Sequence, residues 1–246
     1  MVAWMTASLE LTPNSERVVV RYVRLETVDA ARAKRQLALL SDAERRVHER
    51  RVGSAQLAYA TGHALLRETL SACAGGDPGY WRFVPGSMGK PEIATRRPEE
   101  KWEFNLSHTL GLVACVVARS SRVGIDVENA KRRRAYSALA RRVLAPAELE
   151  DVETRAPSDR SARFLEYWTL KEARLKARGT GIRAPLREMQ FRLLPGEGAE
   201  CAADSEARED GGGWHYLRLH PAPGYFLAAA CWSARPPQWE IQEVGS

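Results

Sequence analysis

An α+β fold of two similar halves is what this sequence predicts, and three observations predict it. Segments with helical periodicity come first, short β-branched or alternating segments follow, and that order occurs twice along the 246 residues. No internal sequence repeat accompanies it, so the two halves, 1–120 and 121–246, rest on the order of elements. A chain of this length forms one large domain or two small ones with a real core.

In the first half, Val18 to Leu25 is β-branched enough to form a strand. Ala30 to Leu40 is helical. Ser41 then caps a new helix, with Glu44 three residues on as its capping-box partner. Gln56 to Ala74 keeps helical periodicity until Gly75-Gly76. Strands are expected at Trp81–Val84, Pro91–Ala94, Trp102–Leu106, Leu112–Arg119 and Arg122–Glu128. In the second half, helices are expected at Tyr136–Val143, Pro146–Thr154 and Ser158–Arg178. Strands follow at Met189–Leu194, Trp214–His220 and Tyr225–Ser233. Residues Glu197 to Gly213 read as a mobile loop rich in Gly, Glu and Ala. The tail from Arg235 shows no strong pattern.

With 44% hydrophobic and 28% charged residues, the chain reads as a soluble globular protein. Its longest apolar run, Leu112 to Ala118, is too short to span a bilayer. Met1 to Glu10 has no basic residues ahead of its apolar ones and makes a poor signal peptide. Cys73, Cys115, Cys201 and Cys231 are scattered, which argues against a zinc site or a disulfide scaffold and fits the cytoplasm. The net charge of +6 favours an anionic partner. No zinc spacing, RNA-binding signature or aromatic-basic stripe supports nucleic acid as that partner.

Five segments carry candidate chemistry. Along Gly124-Ile125-Asp126-Val127-Glu128-Asn129, alternation sends Val123, Ile125 and Val127 to one side and Asp126 and Glu128 to the other. Two carboxylates that close repel unless a cation joins them, and magnesium takes carboxylates together with phosphate oxygens. A solvated strand face is the alternative. In Trp168-Thr169-Leu170-Lys171-Glu172-Ala173-Arg174-Leu175-Lys176, Phe164, Trp168 and Leu175 form an apolar stripe. Glu172 lies at its rim, with Lys176 one turn on; an ordinary i,i+4 pair is the alternative. These two segments together suggest a divalent cation held beside a phosphate ester.

In the third segment, Gly86 to Ile93, Gly89 frees the backbone, Lys90 can reach an anion and Pro91 fixes entry into a strand; a plain hairpin turn fits as well. In the fourth, Ser107 and His108 could hold a phosphate at a strand end, or be a cap and a surface histidine. They are not a nucleophilic pair, because neighbours on a strand point apart and no acid partner is placed. In the fifth, Arg45, His48 and Arg51 recur at near-helical spacing, as a phosphate clamp or a solvated face. The run Lys131 to Arg134 reads as a basic loop.

Taken in order, these segments resemble the 4′-phosphopantetheinyl transferases of the surfactin-synthetase-activating type. The resemblance rests on Gly-Lys-Pro at 89–91, Phe-Asn-Leu-Ser-His at 104–108, Gly-Ile-Asp-Val-Glu at 124–128 and Trp-Thr-Leu-Lys-Glu-Ala with Lys at 168–176. It spans about Ser41 to Phe191.

It implies a monomer of two pseudo-symmetric halves, each with helices on a small antiparallel sheet, and coenzyme A in the cleft between them. It implies magnesium on Asp126, Glu128 and Glu172, and Lys176 on the pyrophosphate. Gly89, Lys90, Pro91, Ser107 and His108 would hold the adenosine end, with the 3′-phosphate near His108. Arg45 and His48 match the family's basic residues on an early helix, although Lys or Arg is usual where His48 stands. Asp126, Glu172 and Lys176 would be catalytic; Glu172 is the first choice for the base, directly or through a metal-bound water, and is not a tight ligand and a free base at once. The partners implied are apo acyl- or peptidyl-carrier proteins, which are acidic helical bundles. A non-catalytic module binding coenzyme A or carriers, and a metal-dependent nucleotide hydrolase, are the rival readings.

Overall fold

The computed structural model describes residues 16–86, 90–94, 101–131, 136–179, 185–202 and 212–245. Among the described residues, two larger sheets, a two-stranded ribbon and six α-helices make up the mixed α+β architecture. The first sheet has the order β11-β1-β5-β4, from β1 (Arg17–Arg24), β4 (Trp102–Thr109), β5 (Leu112–Arg119) and β11 (Gln238–Glu243). The second has the order β6-β10-β9-β8-β7, from β6 (Val123–Asn129), β7 (Phe191–Leu193), β8 (Gly198–Cys201), β9 (Gly213–Leu219) and β10 (Tyr225–Ser233). A ribbon of β2 (Phe83–Pro85) and β3 (Pro91–Ile93) stands apart.

Side-chain alternation explains the layers. On β5, Val113, Cys115 and Val117 face α3 (Gly53–Ala74). The intervening Leu112, Ala114, Val116 and Ala118 face inward and join Val18 and Val20 of β1. The same inner cluster takes Val123, Ile125 and Val127 of β6 with Leu227 and Ala229 of β10, so it cements one sheet to the other. The outward residues of β10, Phe226, Ala228 and Ala230, pack under α6 (Arg160–Arg178) with Phe164, Trp168 and Ala173.

The remaining helices follow local rules. After α1 (Ala30–Ala38), α2 (Asp42–Glu49) opens with the expected capping box: the Ser41 hydroxyl accepts from Glu44 N–H, and the Ser41 N–H donates to Glu44 Oε2 at 2.8 Å. In the second half, α4 (Tyr136–Val143) and α5 (Pro146–Glu153) lead into α6. Gly179, at φ 69°, stops α6 in the left-handed conformation that glycine adopts without penalty.

Two strands depart from expectation. β8 lies inside the segment expected to be a loop, and the tail from Arg235 contains β11. Both are short strands whose pairing supplies what their composition lacks. β8 is held by β7 and β9, and β11 runs parallel to β1 with Val19 opposite Glu240. The first sheet is therefore mixed rather than purely antiparallel. The sheets change over between β5 and β6, and β11 then returns to the first. Among the described residues no helix is long and apolar enough to cross a membrane.

Candidate active site

The site forms where the two sheets meet edge to edge. β4 ends one sheet and β6 ends the other, and no ladder joins them. Side chains do that work. Asn105 Oδ1 accepts the N–H of Ile125 at 3.0 Å, and Ser107 Oγ accepts the N–H of Val127 at 3.2 Å. Lys90 Nζ donates to the carbonyl of Val123 at 3.3 Å, and Asn129 Nδ2 to that of Leu110 at 2.9 Å. Asn105 and Ser107 share one face of β4, as residues two apart on a strand must.

The other face of β6 carries Gly124, Asp126 and Glu128, and α6 lies directly on it. Gly124 permits this: a Cβ there would overlap the backbone of Ala173 and Ala177. Asp126 is 6% exposed and Glu128 5%, so the solvated-face alternative fails. Trp168, Glu172 and Lys176, one turn apart on α6, look down on them. Trp168 Nε1 donates to Glu128 Oε1 at 3.3 Å. Lys176 Nζ lies 2.7 Å from Asp126 Oδ1 and 2.9 Å from Ser107 Oγ. The Ser107 hydroxyl donates to the same Asp126 oxygen at 3.1 Å.

Asp126, Glu128, Ser107 and Lys176 are thus brought together, with Glu172 on the facing helix surface between Trp168 and Lys176. Among the described residues no three His, Cys, Asp or Glu side chains are already grouped as metal ligands. Asp126 Oδ2, however, is buried with no hydrogen-bond partner among the described residues. A buried acceptor left this way is costly, and a hard cation is the natural partner for a carboxylate oxygen.

The other predicted residues are spread along the first sheet's side. Burial pushes the Lys90 ammonium below the ordinary lysine range, and the Glu103 carboxylate lies 3.9 Å away. Pro91 opens β3 opposite Pro85. Gly89 and Arg132 to Arg134 lie outside the described residues. His108 is exposed and alternates away from the buried Ser107, so the structure does not put these two on one face. Arg45 and His48 sit on α2, which packs on α3. Arg45 donates to the carbonyls of Leu40 at 3.1 Å and Ala38 at 3.2 Å, at the end of α1. Lys171, within the same helical motif, points elsewhere. It is fully buried against Glu148 at 2.7 Å and against the Leu186 and Met189 carbonyls.

Three contributors were missed in the sequence. Asn105 stands in the Phe-Asn-Leu-Ser-His motif at 104–108, but nothing in the sequence gives it a role. Trp168 was assigned to the apolar stripe, although a buried indole N–H needs a partner. Gly124 stands in the Gly-Ile-Asp-Val-Glu motif, but its role shows only once α6 is laid on β6.

A family profile described as the 4′-phosphopantetheinyl transferase superfamily matches residues 122–231, the stretch from β6 through most of β10. The chain is 30% identical over 227 residues to the 4′-phosphopantetheinyl transferase HetI of a Nostoc species, covering 92% of each chain. The chain belongs to the 4′-phosphopantetheinyl transferase superfamily. This transferase is also 31% identical over 168 residues to a 4′-phosphopantetheinyl transferase of Bacillus subtilis, covering 68% of its own length and 72% of the relative's. With the transferase AcpT of Salmonella typhimurium it shares 32% identity over 127 residues, which is 52% of its length and 61% of the relative's. The transferase is an enzyme, and its chemistry is transfer of the phosphopantetheinyl group of coenzyme A to carrier proteins.

Proposed function

We propose that the transferase joins the phosphopantetheinyl group of coenzyme A to a serine hydroxyl of an apo acyl- or peptidyl-carrier protein, releasing 3′,5′-ADP. The observation that carries the assignment of roles is the stacking of Trp168, Glu172 and Lys176 of α6 over Asp126 and Glu128 of β6, with Lys176 2.7 Å from Asp126.

Asp126, with its spare buried oxygen, and Glu128 would hold a magnesium ion, and Glu172 would join them as a ligand or stay free as the base, since one carboxylate is not a tight ligand and a free base at once; their donors are the hard oxygens that ion selects. When bound, the ion supplies Lewis-acid neutralisation of the pyrophosphate. Lys176 adds a second positive charge beside it. Phosphoryl transfer needs positioning and charge neutralisation above all. Glu172 takes the proton of the serine hydroxyl as its oxygen bonds to the β-phosphorus. The bond from that phosphorus to the bridging oxygen breaks, and the oxygen leaves with 3′,5′-ADP, its charge met by Lys176. Trp168 holds Glu128 in place.

Arg45, His48, Gly89, Lys90, Pro91, Ser107 and His108 are the candidate contacts for the rest of coenzyme A. The partner carrier is an acidic helical bundle, steered by the net charge of +6. A monomer in the cytoplasm suits the four free cysteines.

Intact mass of an apo-carrier after incubation with the transferase, coenzyme A and magnesium tests the reading. A gain of one phosphopantetheine is expected. Retention of coenzyme A without a mass gain would make the chain a binding module. Release of phosphopantetheine with no carrier present would make it a hydrolase.

A further inference from the structure

We infer that Arg51, stacked on Tyr59 at the elbow between α2 and α3, is a further phosphate ligand for coenzyme A and takes the 3′-phosphate of its ribose beside His108. Tyr59 is the positioning residue that aims it. The inference rests on the transfer from coenzyme A proposed above.

The Arg51 guanidinium carbon lies 4.8 Å from the centroid of the Tyr59 ring. That ring lies 4.3 Å from the ring of His63. His63 Nδ1 is 2.8 Å from Glu44 Oε1, and the fully buried Arg67 donates to Glu44 Oε2 at 2.7 Å. Tyr59, His63 and Arg67, four residues apart, form one stripe of α3. The stack therefore has a buried, ion-paired foot, and Arg51 is its outer end.

The stack holds Arg51 without using its hydrogen bonds. An arginine presents five N–H donors. Among the described residues the Arg51 side chain meets no acceptor and no carboxylate, and its Nε is buried. Arg24, Arg67 and Arg218 each meet a carboxylate instead. A buried donor left so is costly, and a planar fork of donors fits a phosphate.

The same stripe fixes where Arg51 sits. Arg67 lies over the Phe83 ring at 4.7 Å, and Phe83 meets Phe104 of β4 at 5.2 Å. Cys73, at the far end of α3, lines a cavity with Trp102, where β4 begins. α3 and β4 thus run in opposite directions. Eight residues back from Arg67 to Tyr59, and four forward from Phe104 to His108, each cover about 12–13 Å. Phe104 and Leu106 pack with α3, and alternation puts His108 on their side of β4. Arg51 and the exposed His108 therefore lie at the same end of that face. Asp126 lies beyond the other side of β4, the one that carries Ser107. Coenzyme A has a pyrophosphate and one further phosphate, on its ribose 3′ oxygen. With the pyrophosphate beside Asp126, the phosphate left for Arg51 is the 3′ one.

Arg51→Ala is expected to weaken coenzyme A about 10–100-fold, the usual effect of losing a charge-assisted contact. The loss is read as Kd by calorimetry with no carrier present and as KM in transfer, with kcat near wild type. 3′-Dephospho-coenzyme A is expected to bind the wild type and Arg51→Ala alike. Arg51→Lys keeps the charge without the planar fork and recovers part of the affinity. Tyr59→Phe keeps the ring and the affinity. Tyr59→Leu weakens coenzyme A in the wild-type background but not in Arg51→Ala, as a double-mutant cycle reads.

An unchanged Kd for coenzyme A in Arg51→Ala would overturn the inference and leave the stack a structural contact only. An equal loss for coenzyme A and its 3′-dephospho form would overturn it too. If Arg51→Ala does not fold, Arg51→Lys and Tyr59→Leu decide the matter by the same comparison. Failure of the wild-type chain to add phosphopantetheine to any carrier would instead overturn the functional reading, and the calorimetric arm would still decide the role of Arg51.

Discussion

Gly124 of β6 and Ala177 of α6 meet backbone to backbone, with no room for a side chain between them: even the Cα of Ala177 would lie 3.0 Å from a Cβ on Gly124. This contact sets the height of the helix over the strand. It brings Lys176 within hydrogen-bond distance of Asp126, and Trp168, two turns earlier, within reach of Glu128.

Gly124→Ala should therefore lift α6 from β6. Overpacking of this kind costs about 1–3 kcal/mol and sometimes more. Urea unfolding should show the loss of stability, and turnover per folded molecule should also fall because Lys176 and Asp126 separate. Wild-type values of both would mean the helix does not rest on this glycine.

Asp126→Ala and Glu172→Gln should each lower transfer by at least about 10²–10³-fold, the usual effect of losing one preorganised electrostatic contact. Circular dichroism should show the fold retained. Intact mass of the carrier reads the rate, and near-normal turnover at low magnesium would remove the residue from the site. Lys176→Ala should produce a drop of similar size.

Lys171→Met should do the opposite. Burial pushes the Lys171 ammonium down and the Glu148 carboxyl up from their ordinary ranges, yet the pair persists because each group is also satisfied by backbone. Removing one member of such a buried pair costs about 3–5 kcal/mol. Thermal and denaturant unfolding should record that cost, while turnover of the molecules that remain folded stays near wild type.

Acid stability should depend on Glu44. Burial pushes its carboxyl up, but hydrogen bonds from His63 and the Ser41 backbone and the charges of His63 and Arg67 outweigh this and bring it from 4.5 to about 2. A depressed carboxyl contributes stability above its unfolded value and loses it as pH falls through the folded one. The wild type should thus lose stability between about pH 4.5 and pH 2. In Glu44→Gln that slope should flatten, as a pH series of unfolding midpoints would record.

Elements with strong local signals were legible. The boundaries of β5 and α4 follow from a β-branched run and helical periodicity, those of β10 coincide with the apolar run Tyr225–Ser233, and the Ser41–Glu44 box marks the start of α2. β11 was not seen, although Gln238-Trp239-Glu240-Ile241-Gln242-Glu243 alternates, because its partner β1 lies at the far end of the chain. The acidic residues of β6 and α6 were legible as chemistry, and their adjacency followed once the helix was laid on the strand. The bonding of Ser107 and Asn105 was not. Local sequence does not reveal which edges of two sheets will meet, and that meeting decides what each side chain touches.

The pairing of β11 with β1 ties the order of synthesis to the order of assembly. Residues 238–243 leave the ribosome after the other strands of the first sheet, so β1 must wait with one bare edge until they arrive. Nascent or truncated chains lacking them would present that edge to one another. β11 thus acts as the clasp that shields β1 from self-association.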